Sequence, residues 1–273
     1  MSVSGVSQYN DVFRPLMFNA YGMPDPSLSE EKTLQSLEDT LKKDGNTIAA
    51  VIIEPLLMGA GGMKLTSPHF FKQVRELTTK YNVHLISDEV ATGFGRTGHL
   101  FASDAANVSP DFMCLSKALT NGQFPIAVTM TTNDVYSAFY DDFELGKTFY
   151  HGHTFTANPL GCAVANATLK VLDQWDWQTH VSGLEKQLST GIEQLARQFD
   201  FISKPRNIGA VAAFDIDLPG NRALFKLSQR GFEHHLTIRP LGNTIYLYLP
   251  LITSASECEE MLNHIQDLLK KVA

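Results

Sequence analysis

Basic residues and cysteines are both scarce in this chain. Lys and Arg number 22 against 29 Asp and Glu, a net charge of −7 at pH 7. No stripe gathers the basic residues, which argues against nucleic acid or an anionic membrane as the main partner. The three cysteines, Cys114, Cys162 and Cys258, are scattered in apolar contexts. Neither a disulfide framework nor a zinc spacing can be drawn from them, and a reducing cytoplasm is expected. The longest apolar run, residues 48 to 62, is broken by Glu54 and Pro55. The opening MSVSGVSQYND lacks the basic and apolar regions of a secretory signal. The chain is therefore expected to be neither secreted nor membrane-spanning.

What remains is 273 residues with an apolar fraction of 44%, enough for one large domain or two modest ones. Residues 1 to 27, rich in Ser, Asn, Gly and Pro, read as irregular surface. Leu34, Leu37 and Leu41 then mark an amphipathic helix over 29–43. IAAVIIEP (48 to 55) has the continuous apolar character of a strand buried on both faces. Ser67 before Pro68 signals a helix start, and VHLISDEV (83 to 90) is the next strand. This is a βαβ unit, which crosses over right-handed. DFMCLSK (111 to 117) and IAVTMTT (126 to 132) add two strands.

Beyond Asn158 the periodicity predicts a helix to about Gln174 and a longer helical region to Phe199. Short strands follow near Val211–Ile216, Leu236–Arg239 and Thr244–Leu249, with a final helix over 256–270. The expected fold class is α/β, a mostly parallel sheet covered by helices, with a smaller α+β domain. The expected division is residues 1–165 and 166–273.

The stretch from Leu85 to Lys117 carries the chemistry. Parallel strands deliver Asp88 and Lys117 to one sheet edge, where an acid and an amine can hold a cofactor ring between them. That pairing suits pyridoxal phosphate. A carboxylate raises the proton affinity of the pyridine nitrogen, and a lysine amine holds the aldehyde. The competing reading makes Asp88 a turn cap and Lys117 a solvated strand end. GFGRTG (93 to 98) has the G-x-G-x-x-G spacing of a dinucleotide site, but no helix periodicity follows and no acid closes the next strand. Its glycines suit a turn passing close to a ring. His151 and His153 have no third metal ligand at plausible spacing. Thr154 and Thr156 precede a helix start able to meet a phosphate, although Asn158 and Pro159 there equally suit a plain N-cap. Arg239, before Pro240, could clamp a carboxylate or be an ordinary surface arginine.

Taken together, IAAVIIEPLLMGAGGM, LISDEVATGFGRTGHLFA, PDFMCLSKALTNG, HGHTFTANPLGCAVANA and IRPLGNTIYLYLP resemble the class III (ω-) aminotransferases of PLP fold type I. The resemblance implies pyridoxal 5′-phosphate as cofactor. Lys117 matches the lysine bonded to it, and Asp88 the aspartate facing the pyridine nitrogen. Thr154 matches the threonine reaching the phosphate of the neighbouring subunit in a homodimer. Arg239 and Tyr246 match residues that bind a keto-acid substrate. The last segment and DWQTHV (176 to 181) narrow the implied reaction: S-adenosylmethionine donates an amine to 8-amino-7-oxononanoate, giving 7,8-diaminononanoate in biotin biosynthesis. The alternatives are another ω-aminotransferase or a non-catalytic or split fragment. The chain starts at a point matching the interior of the family's large domain. A Gly-Ser phosphate cup and a ring-stacking aromatic are therefore expected to be absent, and a missing N-terminal fragment is a candidate partner. Met58 and Asn121 also depart from the family's usual residues.

Overall fold

The computed structural model describes residues 1–5, 10–218 and 223–271; of the irregular opening segment, residues 6–9 lie outside this description. Helix α1 (Glu30–Asp44) starts where Ser29 accepts a hydrogen bond from the Lys32 amide. It precedes strand β1 (Ala50–Ile53) and a hairpin of two short strands, β2 (Leu57–Met58) and β3 (Lys64–Leu65). Helix α2 (Pro68–Lys80) opens as its sequence predicts, with Ser67 capping the Phe70 amide and proline in the first turn. Strand β4 (His84–Asp88), the single-turn helix α3 (Ala102–Ala105) and strand β5 (Phe112–Leu115) follow. Strand β6 (Val128–Thr131) and the short helix α4 (Asn133–Ser137) complete this half.

The first sheet has the order β1-β4-β5-β6, parallel except for the antiparallel β6. Leu37, Leu41, Phe70, Phe71, Val74 and Leu85 form the core between sheet and helices. Each such side chain contributes about 1.5–3 kcal/mol by leaving water. Strand β1 was expected to be covered on both faces. Among the described residues it is instead a sheet edge, and Ile52 is 36% exposed. At the other edge all four residues of β6 are exposed.

Helix α5 (Pro159–Gln174) packs on the turn after β5 and leads to α6 (Trp177–Gln198). Strands β7 (Ile202–Ile208) and β8 (Val211–Ile216), helix α7 (Ala223–Gly231), strand β9 (Thr244–Tyr248) and helix α8 (Ala255–Lys270) finish the chain. Strand β8 is the buried centre of an antiparallel sheet β7-β8-β9. Its Phe214 meets Leu188, Ile192, Leu227 and Leu268 in a second core. Residue 165 falls within α5, so the expected division of the chain runs through that helix.

The stretch Leu236–Arg239, read above as a strand, carries no strand pairing. It is tied to α7 instead, through the Ser228 hydroxyl to the Ile238 carbonyl and the Leu236 amide to the Gly231 carbonyl. Pro240 next to it cannot donate to a ladder. Strand β7 was not anticipated because ISKPRNI carries Pro205 and two cations. It lies at a sheet edge, and its register slips between Ser203 and Arg206, the setting that tolerates proline.

Candidate active site

Parallel pairing brings three strand ends to one edge. Ile53 of β1 lies opposite Ser87 of β4, and Asp88 lies opposite Cys114 of β5. Extending the first register by one residue sets Glu54 beside Asp88. Glu54, Asp88 and Cys114 thus form a row, and residues in register share one face of a parallel sheet. Three residues past Cys114 the chain turns out of β5 through extended Ser116 (φ −164°, ψ −146°) into a 3₁₀ turn, Lys117–Thr120. Lys117 holds a left-handed backbone, φ 41°. Its side chain is exposed, and no hydrogen bond or salt bridge engages it among the described residues.

The two acids that close β4 do different things. Glu89, fully buried, accepts at Oε1 from the Ser103 amide at 2.8 Å and the Ser103 hydroxyl at 2.7 Å. Its Oε2 accepts from the Ala102 amide at 3.0 Å and from the Thr92 hydroxyl. It anchors the glycine-rich turn to the start of α3. Asp88 is oriented by the Val90 amide, which donates to Oδ1 at 3.1 Å. Oδ2 is left uncommitted among the described residues.

Glu54 is the member of the row that sequence reading passed over, having served only as a break in an apolar run. Its signal was available: it closes IAAVIIE as Asp88 closes LISD. Its Oε2 accepts from the Gly59 amide at 3.0 Å. Burial pushes its pKa above the ordinary carboxylate value. The Gly59 N–H opposes that rise, the Asp88 charge adds to it, and the Lys117 charge opposes it. Glu54 thus lies within electrostatic reach of both Asp88 and Lys117. The Cys114 thiol is pushed up too, first by burial and then by Asp88.

A carboxyl with a raised folded-state pKa favours folding in acid and opposes it as pH climbs from the unfolded toward the folded value. Glu54→Gln removes that opposition. The stability of the variant relative to the parent, read from urea midpoints, therefore rises as pH climbs above the ordinary carboxylate pKa of about 4. A difference that stays flat above that pH contradicts the burial of the charge.

Among the described residues, no hydrogen bond or ion pair links the other residues singled out by sequence to the row. Thr154 lies in an exposed turn, 153–157, stapled by the His153 amide to Thr156 Oγ1 at 2.9 Å. Asn158 caps α5, accepting from the Leu160 and Gly161 amides at 3.0 and 3.3 Å, with Pro159 in the first turn. Arg239 is exposed, with no ion pair among the described residues. Tyr246 pairs with Ala213 across β8 and β9 and packs against an apolar cluster of Leu57, Met63 and Val211. Tyr248, two residues on, reaches the turn that follows the row. The Tyr248 hydroxyl donates to the Ala91 carbonyl, and burial raises its pKa, opposed by Arg96.

Comparison with known proteins identifies the family. The family model described as aminotransferase class-III matches residues 1–269. The adenosylmethionine-8-amino-7-oxononanoate aminotransferases of Synechococcus elongatus and Helicobacter pylori are 38% and 35% identical to this chain. The matches cover all of it, and 66% and 64% of those proteins. The chain therefore spans just under two thirds of the length of these curated relatives. The crystal structure of the enzyme of that name from Methanocaldococcus jannaschii superposes with a TM-score of 0.93 at 29% identity, over 100% of this chain and 64% of that one. Acetylornithine aminotransferase from Elizabethkingia anophelis gives 0.79 at 32% identity, over 87% and 58%.

Proposed function

The chain belongs to the class-III aminotransferases, and from that premise we propose that it serves pyridoxal phosphate-dependent transamination. The amine would pass from S-adenosylmethionine to 8-amino-7-oxononanoate, giving 7,8-diaminononanoate for biotin synthesis. The observation that carries the cofactor reading is the strand-end row, with Asp88 Oδ2 uncommitted and an unpaired Lys117 amine in the turn that follows the adjoining strand. A carboxylate can accept from a protonated ring nitrogen and an amine can bond an aldehyde, the two chemistries a pyridine aldehyde calls for. The substrate reading rests on the relatives' names, matched along the whole chain.

When bound, the cofactor supplies an electron sink that stabilises negative charge at the substrate carbon. Asp88 would keep a proton on the ring nitrogen, because an adjacent carboxylate favours the charged form. The Lys117 amine would hold the aldehyde and would carry a proton to and from the substrate carbon. Arg239 supplies a guanidinium for the acceptor carboxylate and Tyr246 a wall of the same pocket. Thr154 meets the phosphate of a second copy.

A homodimer accounts for the run of exposed aromatic side chains that includes Tyr140 (73%), Phe143 (74%) and Tyr150 (79%). Monomers rarely present so much apolar surface in one stretch. No helix among the described residues is long and apolar enough to cross a membrane.

A second reading, an ω-aminotransferase that draws its amine from an amino acid, is favoured by the 32% identity to acetylornithine aminotransferase. Assays of the chain loaded with pyridoxal phosphate, with 8-amino-7-oxononanoate as acceptor, separate the two. Product from S-adenosylmethionine and none from lysine, ornithine or alanine supports the first reading. The reverse pattern replaces it with the second.

A further inference from the structure

The turn that follows Asp88 and Glu89 is gripped from outside by the C-terminal sheet, and the grip centres on a cation with no counter-ion. The Arg96 residue is 9% exposed. Its Nη1 donates to the Leu249 carbonyl, and its guanidinium carbon sits 4.2 Å from the centroid of the Tyr248 ring. No carboxylate forms a salt bridge with it among the described residues. Burying a cation costs energy that a carbonyl and an aromatic face offset only in part. An apolar side chain would fill this space without that cost, so stability alone does not explain an arginine here. What the guanidinium adds is a rigid plane that fixes the Tyr248 ring and the end of β9 together.

Backbone bonds complete the grip. The Ala210 amide donates to the Arg96 carbonyl at 3.0 Å, and the Leu249 amide to the Ala210 carbonyl at 3.1 Å. The Tyr248 hydroxyl reaches back over the turn to the Ala91 carbonyl. Ala91 directly follows Val90, whose amide sets the orientation of the Asp88 carboxylate.

We propose that Arg96 and Tyr248 are positioning residues. They form a clasp that fixes the carbonyl of Ala91 and, through the Val90 amide, the direction in which Asp88 presents its free oxygen. The C-terminal sheet thereby sets the geometry of a carboxylate it never touches. This rests on the reading of Asp88 as the carboxylate for the cofactor ring. Tyr248→Phe removes only the hydroxyl, whereas Arg96→Lys keeps the charge and loses the plane.

The test compares the parent with both variants by amide hydrogen exchange over residues 89–98 without cofactor, and by visible circular dichroism after addition of pyridoxal phosphate. Loss of the clasp is expected to speed exchange in that segment about tenfold, with strand β8 unchanged. The cofactor dichroism is expected to fall by at least half. Exchange that is unaltered in both variants, or raised equally along the whole chain, overturns the proposal. Faster exchange with intact dichroism overturns it too, because the turn would then move without moving Asp88. Should the parent bind no pyridoxal phosphate, the cofactor reading fails while the exchange measurement still decides whether the clasp holds the turn.

Discussion

In a Lys117→Ala variant, the visible absorbance that pyridoxal phosphate acquires on binding the parent is absent, and transamination falls by at least about a thousandfold. Among the described residues of this edge, the amine alone can form an imine with an aldehyde. The fold survives the change. Lys117 is exposed and unpaired among the described residues, so truncation removes no packing. Its left-handed φ of 41° costs alanine about as much as lysine, on the order of 1 kcal/mol. Thermal melts of parent and variant without cofactor should therefore nearly coincide. Lys117→Arg, which keeps the charge but not the exchangeable amine, should match the alanine variant in activity. If both variants keep the absorbance of the parent, Lys117 is not the cofactor lysine.

Gly209→Ala destabilises the chain by at least about 3 kcal/mol, seen as a large drop in the urea midpoint. Gly209 sits between β7 and β8 at φ 52°, where a Cβ alone costs about 1–2 kcal/mol. The larger part is steric. A Cβ there would strike the Arg96 carbonyl and lie 2.7 Å from Thr97 C and 2.8 Å from Gly98 N. These are backbone atoms that cannot rotate away. Relief requires the β7–β8 turn and the glycine-rich turn to separate, which breaks the Ala210–Arg96 bond. Gly98→Ala is the control. Its φ is also positive, at 90°, but a Cβ there meets nothing within 4 Å. A Gly209→Ala cost no larger than that of Gly98→Ala would show that the two turns are not in contact.

Sequence periodicity located the helices and central strands closely, because their apolar patterns and caps are local properties. Ser67 with Pro68 and Asn158 with Pro159 mark helix starts that appear where expected. Strand β7 was hidden by Pro205 because tolerance of proline depends on edge position, which only the assembled sheet reveals. The reverse error at Leu236–Arg239 has a related origin: a short apolar stretch has strand character, but the partner that decides the matter is α7.

At the candidate site, Asp88 ends β4 as its sequence predicts, whereas the strand expected to run to Lys117 stops at Leu115 and Lys117 opens the 3₁₀ turn beyond it. Glu54 also closes an apolar run, yet its place beside Asp88 depends on the β1–β4 register. The roles of Arg96 and Tyr248 depend on contacts spanning about 150 residues, 153 for Arg96 to Leu249 and 157 for Tyr248 to Ala91. No local pattern encodes such contacts. The glycines of GFGRTG are explained in part by the packing of the turn, since a Cβ on Gly95 would meet the Trp177 ring at 3.0 Å.

The central claim, that an acid and an amine from adjoining strands hold one ring between them, is tested most directly by where the cofactor attaches. The chain is mixed with pyridoxal phosphate, treated with borohydride to fix the bond, digested and mapped by mass spectrometry, with Asp88→Ala alongside. The account predicts one modified peptide, carrying Lys117, with its yield sharply reduced in Asp88→Ala. Modification spread over surface lysines, or concentrated at a lysine other than Lys117 and indifferent to Asp88, would contradict it.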